Sequence, residues 1–67
     1  MDGIIQVNKH LRVRLIKDSD HVILCQKVDN NEFVVWTKLT DKDFRNGFYT
    51  FDFDQACTEY SKRVWFS

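Results

Sequence analysis

Between Leu11 and Leu15 apolar and basic side chains alternate one for one, whereas from Phe53 to Val64 the apolar residues recur at intervals of three and four. A period of two gives a chain one apolar and one polar face, which is a β-strand. The later spacing gathers Phe53, Ala56, Cys57, Tyr60 and Val64 onto one stripe of an α-helix. The chain is therefore strand-forming first and helical last. With 67 residues it has room for one domain, residues 1–67. A chain of this length buries only about 60% of its unfolded surface, so its core is marginal without staples or a partner. Ten aromatic side chains, 15% of the residues, are the natural staple. Proline is absent and glycine occurs only at Gly3 and Gly47, which leaves no linker composition.

The odd-numbered run Ile5, Val7, Leu11, Val13 and Leu15 predicts a strand over Leu11–Ile16, with Ile4–Val7 as its extension or a separate edge. Lys17–Asp20 has turn chemistry, since Asp and Ser side chains bond nearby backbone donors. Val22–Val28 and Phe33–Leu39 are rich in β-branched and aromatic residues and read as the next two strands. The Asp29–Glu32 interruption offers asparagines that tolerate the positive φ of a hairpin turn. Thr40–Asn46 reads as a charged loop, and Gly47 as a source of positive φ before a fourth strand, Phe48–Phe51. Asp52 is placed to cap the helix, with Gln55 three residues on in a capping-box-like arrangement. Asp54 suits the positive helix end, and Lys62 and Arg63 the negative one. The expected fold is α+β: a four-stranded antiparallel meander with one C-terminal helix packed on one face (ββββα).

One helix covers one face of such a sheet and leaves the other open. Continuous alternation assigns Leu11, Val13, Leu15, Val35, Tyr49 and Phe51 to the helix side. It assigns Arg12, Arg14, Ile16, Val34, Trp36, Lys38 and Phe48 to the open side. Strand Val22–Val28 can present either set of its residues. An open face mixing aromatic and cationic groups suits a contact surface, so Arg12, Arg14, Trp36, Lys38 and Phe48 are the candidate partner-binding residues. The expected function is a non-catalytic interaction module that binds a protein partner or forms a homodimer. The plain structural alternative is that Trp36 and Phe48 are a cross-strand pair shielding the second face.

The functional alternative is single-stranded nucleic-acid binding, with bases on the rings and phosphates on the arginines. Residues 1–17 favour it, carrying Lys9, Arg12, Arg14 and Lys17 against Asp2 alone. Residues 41–59 oppose it, with Asp41, Asp43, Asp52, Asp54 and Glu59 against Lys42 and Arg45. Formal net charge is zero, which disfavours both a strongly basic binder and an acidic nucleic-acid mimic.

The residues for catalysis are sparse. His10 and His21 lack partners at metal-site spacing, and Asp18, Asp20 and His21 read as a solvated turn. Cys57 lies on the apolar helix stripe, which predicts burial rather than an activated thiolate. Asp52 and Asp54 are explained by capping. No enzyme, metal site or cofactor is expected. Cys25 and Cys57 read as reduced core residues. The chain contains no apolar run of about 18 residues and no signal-peptide pattern, so a cytoplasmic protein with no membrane contact is expected. The Val64–Phe66 end is expected to fold onto the core or to act as a docking tail.

Phe33-Val34-Val35-Trp36, then Gly47-Phe48-Tyr49 and Phe51, then an acid-capped helix with Ala56 and Tyr60, resembles a recurring pattern. It is similar to that of small proteins of unassigned role carried by bacteriophages and prophages of Gram-positive bacteria. The resemblance spans roughly residues 32–64. It implies a cytoplasmic accessory protein that binds and modulates a host protein, and it supplies no catalytic residues.

Overall fold

A computed structural model describes residues 4–40 and 43–66, so Asp2, Asp41 and Lys42 of the charge balance lie outside the described residues. Among those described, the order is β1 (Ile4–Asn8), β2 (Leu11–Asp18), β3 (Val22–Lys27), β4 (Phe33–Thr40), β5 (Asp43–Thr50) and α1 (Phe53–Phe66). The strands form one antiparallel sheet in chain order. The class is α+β as expected, but the sheet has five strands rather than four. Ile4–Asn8 is a separate edge strand because the chain reverses at Lys9–His10, where the His10 amide donates to Asn8 Oδ1 (2.8 Å). The expected charged loop is largely strand, since β5 starts at Asp43 and runs through Gly47.

The helix starts as its capping residues predict, with one addition. Asp52 Oδ1 accepts from the amides of Asp54 (2.9 Å) and Gln55 (3.5 Å). Gln55 does not reach back to Asp52 directly. The Asp52 amide donates to Thr50 Oγ1 (3.0 Å), and that hydroxyl donates to Gln55 Oε1 (2.9 Å). The capping box is thus closed through a relay.

Residues directly opposite in an antiparallel pair share a face, and the register corrects the division of faces. Leu15 lies opposite Cys25, Cys25 opposite Val34, and Val34 opposite Tyr49. This row faces away from α1 with Val13, Ile23 and Trp36. Leu24, Val35 and Phe48 form the neighbouring row and pack under Ala56, Cys57, Tyr60 and Val64 of α1. Leu11, Val13, Leu15 and Tyr49 are therefore on the far side, Phe48 is under the helix, and Arg12 and Arg14 are on the helix-bearing side. Phe51 lies past the end of β5 with 67% of its surface exposed. Val34, Val35, Trp36 and Lys38 stand where alternation puts them, and β3 turns Val22 and Leu24 toward the helix.

Strict alternation fails because register depends on bulges. Shifts fall between Gln6 and Asn8, Leu15 and Lys17, Val35 and Thr37, and Lys38 and Thr40. Each bulge inserts a residue and adds twist. Ile16 is such an insertion, and it moves Lys17 onto the helix-bearing side opposite Leu24. The resulting curl makes the sheet concave on the side α1 does not touch, and a second cluster of side chains packs there. Cys25 and Val34 have no exposed surface there, and Trp36 has 6%. The face expected to be open is the larger of two cores, so the cross-strand shielding reading of Trp36 is the one its burial matches. Its partners are Phe44, stacked at 5.3 Å and 14°, and Tyr49, edge-on at 6.4 Å and 90°, not Phe48.

Cys25 and Cys57 are free thiols belonging to the two opposite cores.

Candidate protein-binding surface

α1 packs on β3, β4 and β5 only. The helix-bearing side of β1 and β2 is left bare beside it. Along β2 this side presents Arg12 and Arg14, which pair across to Gln6 and Ile4 on β1. All four are exposed, Ile4 at 42%. Beyond the Ile16 bulge Lys17 joins them, its Nζ 5.9 Å from the Tyr60 ring centroid on the flank of α1. Lys9 occupies the turn at the other end.

Of the five candidate residues, the structure brings Arg12 and Arg14 together and separates the other three from them. Trp36 is core. Lys38 is on the Trp36 side, opposite Phe44, with its ammonium 3.3 Å from Asp18 Oδ1. Phe48 is half-buried under α1 and lines an open groove with Gln55, Thr58, Glu59 and Lys62. The nucleic-acid arrangement drawn from the sequence loses its central ring by the same finding.

The charges show a pattern that spacing alone does not. Among the described residues, every cation outside the β1–β2 hairpin has a carboxylate partner. Lys27 meets Glu32 at 3.0 Å, Lys38 meets Asp18, and Arg45 meets Asp43 at 3.9 Å. Lys62 and Arg63 both meet Glu59, at 4.0 and 2.7 Å. Lys9, Arg12, Arg14 and Lys17 make no ion pair with the described residues. Residues 4–17 contain no acid at all, and that acid-free run was the readable signal. The unpaired state of the cations, and the placement of Lys17 with the arginines, depend on register.

Other reactive groups lie in quieter settings. Burial, with a smaller contribution from the Asp18 carboxylate, pushes the Cys25 thiol up to about 12, which keeps it protonated and inert. Among the described residues no group of three or more His, Cys, Asp or Glu side chains is placed to hold a metal ion. No helix among them is long and apolar enough to cross a membrane.

Fold and surface together define a small α+β domain with a cationic ribbon beside its helix that no carboxylate among the described residues pairs with. No family model, curated protein or solved structure matches the chain.

Proposed function

We propose that this chain is a non-catalytic protein-binding module that works through the bare side of the β1–β2 hairpin, with Arg12 and Arg14 as its central contacts. The observation that carries this reading is the contrast in pairing. Five cations elsewhere each hold a carboxylate within 4.0 Å, while Lys9, Arg12, Arg14 and Lys17 pair with no carboxylate among the described residues. Arginine presents a planar fork matched to carboxylates, and with exposed Ile4 opposite Arg14 on β1 it supports a contact of mixed apolar and charged character. The partner chemistry is an acidic protein surface. The phage-type accessory role, acting in the cytoplasm on a host protein, belongs to the same proposal.

The test compares immobilised wild type with an Arg12→Glu/Arg14→Glu variant of matching far-UV circular dichroism. A protein retained at least tenfold better by the wild type is expected; equal retention by both would end the proposal. Nucleic acid is the second reading, favoured by the same unpaired cations. It requires binding to an oligothymidine that weakens steeply between roughly 50 and 200 mM salt.

A further inference from the structure

β1 is one edge of the sheet. Among the described residues it pairs with β2 alone, and no other element touches it. An edge strand turns every second amide and carbonyl outward, which makes it a template for a further strand unless something blunts it. The opposite edge, β5, is blunted. It carries the charges of Asp43 and Arg45, two register shifts against β4 and a positive φ at Asn46, and α1 lies against it. β1 has the sequence Ile4-Ile5-Gln6-Val7-Asn8, with no charge and no proline. Its register shift lies at the Asn8 end, where the Gln6 side-chain amide donates to the Asn8 carbonyl. The edge left open is residues 4–7.

A strand added there lies about 4.8 Å outside β1 and continues both faces of the sheet. On the helix-bearing side its neighbours are Ile4 and Gln6, with Arg14 and Arg12 directly behind them on β2. A carboxylate on this face stands about 10 Å from the β2 backbone, a span that the long side chains of arginine and glutamate close between them. On the other side the neighbours are half-buried Ile5 and Val7, at the rim of the Trp36 core. The strand that suits both faces alternates acidic with apolar residues. A second β1 does not suit them. Two such edges paired antiparallel set the arginines of both copies on one face, like charge beside like.

We infer that the β1 edge docks an extended protein segment in which acidic and apolar residues alternate, added as a further strand with its carboxylates reaching Arg12 and Arg14. The inference rests on the protein-binding reading and specifies how the partner is engaged. The probe is a capped peptide, Val-Glu-Val-Glu-Val-Glu, titrated into the full chain up to about 1 mM. Exchange of backbone amides within residues 4–7 should slow on binding, while that of β5 stays unchanged. A peptide of the same composition with its glutamates in one block should bind at least tenfold more weakly, because it cannot set its carboxylates on one face. Methylating alternate peptide nitrogens removes the donors along one edge of the peptide, and one of the two phases should lose binding at least tenfold. Arg12→Glu/Arg14→Glu, checked for folding by far-UV circular dichroism, should weaken binding by at least the same factor. Equal binding of the block peptide, or of both methylated ones, would be charge attraction without an added strand and would overturn the inference. So would slowed exchange at β5 in place of β1, or a doubled solution mass with residues 4–7 already protected before peptide is added. Where the peptide fails but the wild type still retains a protein through Arg12 and Arg14, only the added strand falls and the broader reading stands. Where oligothymidine binds and the peptide does not, both fall.

Discussion

Removing the indole of Trp36 leaves Phe44 without its stacking partner and Tyr49 without the edge it meets. The site cannot collapse easily, because Val13, Ile23, Cys25 and Val34 around it are held in the hydrogen-bonded strands of a curled sheet. Gly47 shows how closely that site is filled. A Cβ there would lie 2.7 Å from Tyr49 Cε1 and 2.9 Å from Trp36 Nε1. The positive φ expected of Gly47 falls instead on Asn46, at 57°, so the glycine is needed for space. Trp36→Ala should cost about 3–5 kcal/mol, a large part of the 5–15 kcal/mol typical of a domain. Urea unfolding followed by far-UV circular dichroism should show a midpoint lost or strongly lowered, and an unchanged midpoint would return Trp36 to the surface. Cys25 adds a dependence on pH from the same core. Its thiol is raised from the ordinary 9.0 to about 12, so above pH 9 the unfolded chain releases a proton that the folded one keeps. Stability therefore falls as pH rises between 9 and 12, by about 1.4 kcal/mol per unit from this group. Comparison with Cys25→Ala, which lacks the titration, isolates it: the two proteins should converge in stability from pH 9 to 10, and parallel profiles would count against burial of the thiol.

The start of α1 is the element most dependent on local chemistry. Asp52 satisfies two first-turn amides, and Thr50 and Gln55 satisfy the Asp52 amide between them. Asp52→Ala should cost about 1 kcal/mol. Thermal melts should register it, while Asp29→Ala, in a turn away from the helix, leaves the melting temperature within error. At the other end Arg63 ties the helix to the sheet, donating to the Val35 carbonyl (3.2 Å) and Thr37 Oγ1 (3.4 Å) as well as to Glu59. The helix was legible because the Phe53–Val64 stripe, the cap and the terminal charges all agree. Strand identity was legible for β2, β3 and β4 for similar reasons. Face assignment was not, because side-chain parity passes along a strand only until the first bulge. Ile16, Leu39 and Asn46 have no composition that marks them as insertions, yet each resets what lies opposite. Arg12 and Arg14 were recognised as neighbours because both lie on one strand before any bulge. Trp36, Lys38 and Phe48 were grouped with them across strands whose register the sequence does not state.

The molecule has two small cores instead of one, and they lie on opposite sides of the same two strands. Ile23, Cys25, Val34 and Trp36 fill one; Val22, Leu24 and Val35 fill the other. β3 and β4 therefore cannot lose order on one side without exposing the other, and neither core is large enough to persist alone. Every strand also pairs with its neighbours in sequence, so native contacts form over short loops and folding has little reason to pause between the cores. The two cores carry separate reporters. Trp36 and Cys25 belong to the first, and α1 with half-buried Cys57 to the second. Unfolding in urea should accordingly give one transition by near-ultraviolet signal from the aromatic core and by helical far-ultraviolet signal. The protection of Cys25 from a thiol reagent should disappear over the same range of urea. Cys57, partly accessible in the folded chain, should react earlier by local opening of the helix. If the helical signal is instead lost at lower urea than the Trp36 signal, α1 is detached from a sheet that stands by itself, and the shared-strand account of this fold fails.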